Sequence, residues 1–370
     1  MFHLMQVVSK QKETDEAVTI GLKLLQEKPS KSSLLQWLPG QHVRVRLNIH
    51  NERVQRSYSI SSAKGAPFCI TVKRQKGGLV SEYINKTLDI GDTIEVSEPA
   101  GAFTLTPDKQ KRRSHYFFAA GSGITPCFSM LASVLAEEPY SYVYLLYGNK
   151  HPDGIIFNNR LRALQEKYPH KLVVCHSLTS PGWFSSSPWH TGRIDANVVH
   201  KFIQAHPPSA HDAYYYICGP EQFIPNVKTA LNDIDVPNNR ILMERFGATS
   251  SPSRSNTEQA IPPDNTHAFK SHDENGQEVA ATLDVDLYGV QYQVEVQAGE
   301  TLLGAMQRNN VAAPFSCEGG VCGACKCHKN RGEVRMHNNL ALEQEKVNTG
   351  WVLACQSRAL TPHIRIQYKD

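Results

Sequence analysis

Four cysteines, Cys317, Cys322, Cys325 and Cys355, carry the strongest chemical signal in the chain. The first three lie in Phe315-Ser316-Cys317-Glu318-Gly319-Gly320-Val321-Cys322-Gly323-Ala324-Cys325, a C-x4-C-x2-C run, and the fourth follows about thirty residues on. Thiolates are soft, strongly donating ligands, and four at this spacing suit the tetrahedral irons of a [2Fe–2S] cluster. Gly319, Gly320, Gly323 and Ala324 let the backbone fold tightly and aim N–H groups at the sulfurs. Structural zinc is the competing chemistry. Zinc ribbons use two C-x2-C pairs, however, and Cys355 has no such partner. Nearby Cys327 reads as a buried strand residue after the loop. A cluster of this kind moves one electron at a time, so the rest of the chain must supply the electrons.

Two further motifs suit nucleotide chemistry. Arg56-Ser57-Tyr58-Ser59 is followed by Lys73-Arg74 and by Gly77-Gly78-Leu79-Val80-Ser81. A Gly-Gly turn opening a helix exposes N–H groups, and with Arg56 these would hold a pyrophosphate. Tyr58 would cover a flat ring and Ser59 would hydrogen-bond its edge. Taken singly, each motif also reads as an ordinary strand or an ordinary helix start. The second motif is Ala119-Ala120-Gly121-Ser122-Gly123-Ile124-Thr125-Pro126, an apolar strand running into a glycine turn. Pro126 is expected at the first helical position. Cys218-Gly219-Pro220 closes a later strand, and carboxyl strand ends of a parallel sheet form its ligand crevice. GSGITP and CGP are therefore expected on one pocket.

The elements that position these motifs fall into three blocks. In the first hundred or so residues, period-two runs such as His42-Val43-Arg44-Val45-Arg46-Leu47 and Cys69-Ile70-Thr71-Val72-Lys73 alternate with Gly/Pro punctuation, around one helical pattern at 80–88. This pattern predicts a small antiparallel barrel. From about Ser114, apolar runs at 116–120, 142–147, 172–175, 214–218 and 241–246 alternate with helical stretches at 126–137, 157–168, 196–204 and 221–234. That alternation predicts βαβ units and a parallel sheet. Residues 248–280 are rich in Ser, Pro, Asn and charge, which predicts a flexible linker. Beyond it, 282–287 and 291–296 predict a hairpin, followed by a helix N-capped by Thr301 and then the cysteine loop. The expected domains are 1–110, 111–247 and 281–370, joined by the 248–280 linker.

Composition narrows the classes. A chain of 370 residues with net charge +4 and no Lys/Arg-rich run does not imply a nucleic-acid partner. No apolar stretch reaches the roughly eighteen residues of a membrane span, and the N-terminus has no secretion signal pattern. The nine cysteines are not spread as a disulfide framework; Cys69, Cys127, Cys175, Cys218 and Cys327 mostly lie in apolar, strand-like runs. A soluble protein of a reducing compartment, the cytoplasm, is expected. The sixteen histidines show no ligand spacing, and GWFSSSPWH at 182–190 reads as a loop insertion.

In this order, RxYS, GGxxS, GSGITP, CGP and C-x4-C-x2-C…C resemble the ferredoxin–NADP reductase superfamily with a C-terminal ferredoxin domain. Tyr147-Gly148-Asn149-Lys150, Gly192-Arg193-Ile194-Asp195, Glu244-Arg245-Phe246 and Val352-Leu353-Ala354-Cys355-Gln356 are similar to reductases of phenylacetyl-CoA epoxidases. The FSC…GACxC loop and ACQSR segment are similar to reductases of 3-ketosteroid 9α-hydroxylases.

The resemblance implies an antiparallel β-barrel for FAD, an α/β parallel-sheet NAD(P) domain and a C-terminal α+β ferredoxin (β-grasp) domain. It assigns Arg56, Tyr58 and Ser59 to FAD, with Lys73 on its strand and Gly77, Gly78, Val80 and Ser81 on the pyrophosphate. It sets Thr125 and Phe246 near the flavin, and Gly121, Gly123, Cys218, Gly219 and Pro220 at the nicotinamide. Ser59, Thr125 and Cys218 are the expected catalytic positions. Lys150 follows the second strand of the α/β block, where a cation suits the 2′-phosphate of NADPH over NADH, although Asp153 is close by.

Together these imply a reductase passing hydride from a nicotinamide nucleotide to FAD, then single electrons through the cluster to an oxygenase of the phenylacetyl-CoA epoxidase type. A steroid hydroxylase, a fatty-acyl desaturase or a hybrid cluster protein is the alternative acceptor. A non-catalytic redox sensor is the rival of a different class.

Overall fold

The computed structural model describes residues 2–25, 36–50, 52–180, 190–210, 212–246, 278–315, 320, 323–339 and 341–368. Cys317, Cys322, Gly319, the 182–189 part of the GWFSSSPWH stretch and nearly all of the expected linker lie outside the described residues. The chain divides into two units, 1–246 with 314–325, and 247–313 with 326–370.

The first unit begins with a six-stranded antiparallel sheet. Its strands are β1 (Phe2–Thr14), β2 (Ala17–Leu24), β3 (His42–Ile49), β4 (Glu52–Ser59), β5 (Cys69–Lys73) and, after helix α1 (Leu79–Lys86), β6 (Thr93–Ser97). The order is β4-β3-β6-β1-β2-β5, and a bridge from Ile60 to Ile70 joins the two ends. Strand alternation sends Val43, Val45, Ile20, Ile70, Val72 and Val96 into one apolar interior. Val80 and Ile84, one turn apart on α1, bury against that interior.

The same unit continues with a parallel sheet. It comprises β7 (Arg113–Ala120), α2 (Ile124–Glu137), β8 (Tyr142–Asn149), α3 (Asn158–Lys167), β9 (Leu172–Leu178), β10 (His190–Thr191), α4 (Ala196–Ala205), β11 (Asp212–Gly219), α5 (Phe223–Asn232) and β12 (Ile241–Arg245). The order β10-β9-β8-β7-β11-β12 places β7 and β11 inside, so they are buried on both faces and read as continuous apolar runs. Along β7, Tyr116 and Phe118 face the core under α4 and α5, while Phe117 and Ala119 face the core shared with α2 and α3. Ala17, Phe103 and Leu105 belong to that second core, which therefore joins the barrel to the α/β layer. The Ser129 hydroxyl donates to Ser62 O (2.6 Å) and reinforces the join.

At the amino end of this sheet, Glu138 is fully buried and accepts from Arg113 Nε (3.2 Å), His115 Nε2 (3.1 Å) and Ser141 Oγ (2.6 Å). Burial alone would push its carboxyl up, but these partners outweigh it and hold the group at about 2.

The second unit holds β13 (Ala281–Leu287), β14 (Val290–Val296), α6 (Leu302–Arg308), β15 (Lys326–Arg331), β16 (Val334–Met336), α7 (Gln344–Asn348), β17 (Trp351–Leu353), β18 (Ser357–Ala359) and β19 (His363–Tyr368). The five-stranded order is β14-β13-β19-β15-β17, with β13 and β19 parallel. Tyr288 and Gly289 both take positive φ (55° and 92°), the two-residue turn whose twist suits a hairpin. Thr301 accepts from Gly304 N (3.1 Å) and caps α6 as expected.

Candidate functional site

A cavity of about 930 Å³ opens at the carboxyl ends of the parallel strands. Ala120 and Gly121 after β7, Gly148 to His151 at the end of β8, Ser177 and Thr179 from β9, and Pro220 to Phe223 after β11 line it. Thr14 to Glu16 from the β1–β2 turn and Lys73 complete the wall. GSGITP and CGP do meet. A Cβ on Gly123 would lie 2.1 Å from Cys218 O, so the glycine allows backbone-to-backbone approach instead of facing a ligand. Gly121 takes a positive φ (54°), lines the cavity, and accepts from the Tyr147 hydroxyl (2.9 Å). Pro126 is not the first helical residue. The 3₁₀ turn Gly121–Gly123 runs straight into α2 at Ile124, which makes Pro126 the third; the first-turn N–H groups have no helical partner, so the proline is tolerated.

Thr125 is buried, and its hydroxyl donates to Ser122 O (3.0 Å), tying down the turn. Cys218 is fully buried at the end of β11. Burial, then Glu244 and Cys127, push its thiol well up, so it stays neutral and is no nucleophile at neutral pH. Gly219 packs against Phe223, where a Cβ would approach the ring to 2.6 Å. Lys73 lies 4.0 Å from Glu16, and Lys150 follows β8 on the cavity wall. Phe246, just after β12, packs on the core shared by barrel and sheet.

On the barrel, β4 carries Arg56, Tyr58 and Ser59. Arg56 donates to Gln55 O (2.7 Å), and burial lowers its pKa. Tyr58 packs on the barrel core, and burial raises its hydroxyl pKa. The alternate positions Gln55, Ser57 and Ser59 present Oε1, Oγ and Oγ atoms that are buried and make no hydrogen bond among the described residues. A row of buried polar atoms left this way fits a polar ligand laid along β4. Gly77 takes φ +75°, its N–H donates to Glu82 Oε1 (3.0 Å), and the Ser81 hydroxyl donates to Gly78 O (3.1 Å). The expectation for Val80 is narrower than its side chain suggested: that side chain is barrel core, and only its backbone N–H faces the helix start.

Cys325 and Cys355 sit in turns, one before β15 and one after β17, and both are buried. Cys327 is fully buried on β15, with its thiol pushed up to about 12 by burial, the strand residue expected. Cys127, in contrast, lies in α2 and not in a strand, while Cys69 and Cys175 are only partly buried.

Residues 5–105 match the Oxidoreductase FAD-binding domain family, 117–229 the Oxidoreductase NAD-binding domain family and 285–360 the 2Fe-2S iron-sulfur cluster binding domain family. Over 369 residues the chain is 30% identical to one of the subunits of the 1,2-phenylacetyl-CoA epoxidase of Escherichia coli (strain K12), a match that covers 99% of this chain and 98% of that protein. The chain belongs to the ferredoxin–NADP reductase superfamily, in its three-domain form. The reductase is also 33% identical over 336 residues to the ferredoxin reductase component of the 3-ketosteroid-9-alpha-monooxygenase of Rhodococcus rhodochrous, covering 89% of this chain and 87% of that one. Its fold matches phthalate dioxygenase reductase, with TM-score 0.57 at 23% identity, over 99% of this chain and 98% of that one. It is an oxidoreductase of the electron-transfer type with FAD-binding, NAD-binding and [2Fe–2S] domains. No helix among its described residues is long and apolar enough to cross a membrane.

Sequence reasoning missed several residues of this reductase. His42 and Glu244 are both buried, and His42 Nδ1 lies 3.7 Å from Glu244 Oε1. Gly101 makes room for that ring; a Cβ there would approach Nδ1 to 2.9 Å. Asp15 and Glu16 reach the cavity at the carboxyl strand ends from a barrel turn. No local pattern announces such pairs, because the partners are remote in sequence. Arg193 stands out in the sequence only as a member of the Gly-Arg-Ile-Asp run, yet it lines the cavity.

Proposed function

We propose that this reductase takes hydride from a reduced nicotinamide nucleotide and delivers single electrons to a partner oxygenase of the phenylacetyl-CoA epoxidase type. The observation that carries the reading is the cavity at the carboxyl strand ends, walled by both the glycine turn after β7 and the barrel's Lys73. Arg56, Tyr58 and Ser59 would hold FAD along β4, with Gly77, Gly78, Ser81, the Val80 N–H and Lys73 toward its phosphates. The buried, unpartnered Ser57 and Ser59 hydroxyls support that fit. Bound FAD supplies the exchange between a two-electron hydride and single electrons. Gly121 and Pro220 would receive the nicotinamide, Gly123, Cys218 and Gly219 would shape its seat, and Thr125 and Phe246 would lie near the flavin. Cys317, Cys322, Cys325 and Cys355 would ligate the cluster. One hydride balances two single-electron deliveries and the release of one proton.

The proposed domains are 1–110, 111–247 and 281–370, with 248–280 as the linker between the last two. A cytoplasmic location goes with this reading, since cluster thiols need a reducing compartment. The name of the full-length relative supports the epoxidase as acceptor. The 33% identity to the ketosteroid monooxygenase component supports a steroid hydroxylase as the second reading. Reconstituted protein is expected to reduce cytochrome c with NAD(P)H, and then to couple to ring-epoxidase subunits with phenylacetyl-CoA. Coupling to a steroid oxygenase instead would move the acceptor assignment. Failure to reduce cytochrome c at all would refute the reductase reading.

A further inference from the structure

We propose that Phe315 latches the cysteine segment to the flavin seat by laying its ring against the Arg56 guanidinium, so that FAD binding and seating of the segment strengthen one another. The proposal rests on the flavin reading of β4 above and extends it to the chain that carries the cluster cysteines.

The cysteine segment groups with the barrel. Residues 314–325 belong to the first unit, together with the barrel and the parallel sheet, whereas 247–313 and 326–370 form the second. Pro314 opens the segment; it is buried, and its ring fixes the backbone at the entry. Phe315 follows, half-buried, two residues before Cys317. At the other end of the segment Cys325 is buried.

Arg56 and Phe315 meet directly, although they are remote in sequence. The guanidinium carbon lies 5.4 Å from the centroid of the Phe315 ring, within cation–π range. Arg56 is held from behind by the barrel: its strand β4 pairs with β3, with Arg56 opposite Val45. Its Nη1 donates to Gln55 O (2.7 Å), which orients the guanidinium. Burial lowers the Arg56 pKa, and only Tyr58 opposes that effect; no carboxylate acts on it among the described residues. A buried cation without a counter-charge is unfavourable, and the face of Phe315 is the compensation this fold supplies.

Guanidinium geometry lets a ring and a phosphate act together. The planar face takes the aromatic ring, while the edge carries five N–H donors. With Nη1 on Gln55 O, the other edge donors remain for pyrophosphate oxygens. A phosphate on the edge would fix the guanidinium plane and so present its face to Phe315. A seated ring would fix the same plane for the phosphate. Such coupling is reciprocal: the factor by which the ring raises FAD affinity is the factor by which FAD favours the seated segment.

The test uses the full-length protein with its cluster, stripped of flavin and titrated with FAD by fluorescence. Phe315→Leu keeps an apolar side chain but loses the π face, and it should weaken FAD about fivefold. Phe315→Tyr keeps the face and should retain wild-type affinity. In an Arg56→Met background, already weakened by the lost phosphate contact, Phe315→Leu should cost less than about a further 1.5-fold. In the holoprotein mixed with NAD(P)H, Phe315→Leu should slow cluster reduction about fivefold and change flavin reduction by no more than about twofold. Unchanged FAD affinity in Phe315→Leu overturns the latch, and so does a fivefold loss that persists in Arg56→Met. Tighter FAD binding in Phe315→Leu overturns it as well, because the ring would then compete with the flavin. A wild-type chain that binds no FAD refutes the flavin reading itself, whereas FAD binding without these differences leaves that reading standing and removes only the latch.

Discussion

Replacing Glu138 with glutamine is expected to destabilise the first unit by about 3 kcal/mol at neutral pH while leaving nucleotide binding intact. The carboxylate is fully buried and accepts from Arg113, His115 and Ser141, as well as from Asp108 N (3.1 Å). A carboxyl held at about 2 instead of its ordinary 4.5 contributes about 3 kcal/mol of folding free energy. Breaking a buried ion pair from one side costs a similar amount, because the Arg113 guanidinium, only 13% exposed, loses its counter-charge. Because the folded-state pKa is depressed, this stability is present above about pH 4.5 and is lost as pH falls toward about 2. The gap between wild type and Glu138→Gln should therefore close over that window. Calorimetry on the full chain should show the transition of the first unit about 6–12 °C lower at pH 7. A drop under about 2 °C, or a gap that persists at about pH 2, would refute the reasoning. Nucleotide binding at low temperature should be unchanged, since Glu138 packs at the amino end of β7 and the cavity lies at the carboxyl end.

Ser59→Ala is expected to act in opposite directions on fold and ligand. It removes a buried hydroxyl that has no partner among the described residues, so the FAD-free chain should be unchanged or up to about 1 kcal/mol more stable. FAD affinity should fall about tenfold in a fluorescence titration, and an unchanged affinity would remove Ser59 from the flavin site. Cys327→Ala should retain full iron and sulfide on reconstitution, because this buried thiol, pushed up to about 12, is core. Cys325→Ser and Cys355→Ser should lose the cluster; iron loss in Cys327→Ala instead would overturn that ligand assignment.

Much of the architecture was legible because its signals are local. Period-two runs made the barrel strands, continuous apolar runs made β7 and β11, and the Thr301 cap opened α6. Local reasoning erred where a neighbouring element changed the geometry. Pro126 was displaced from the helix start by a 3₁₀ turn, Cys127 entered a helix, and the two-residue strand β10 had no readable pattern. Val80 looked like a ligand residue by motif, but its spacing with Ile84 puts its side chain in the core.

By itself the sequence determined the chemistry available. Cysteine spacing, glycine turns at strand ends and a cation after β8 are properties of adjacent residues, whose local backbone preferences suffice to announce them. Only the tertiary structure decided which of them share a space. Gly123 against Cys218, His42 beside Glu244, the barrel turn on the wall of the strand-end cavity, and Arg193 one strand away from Lys150 all depend on sheet order and register. Those are set by burial of apolar faces across the whole unit, a collective energy that no short motif encodes.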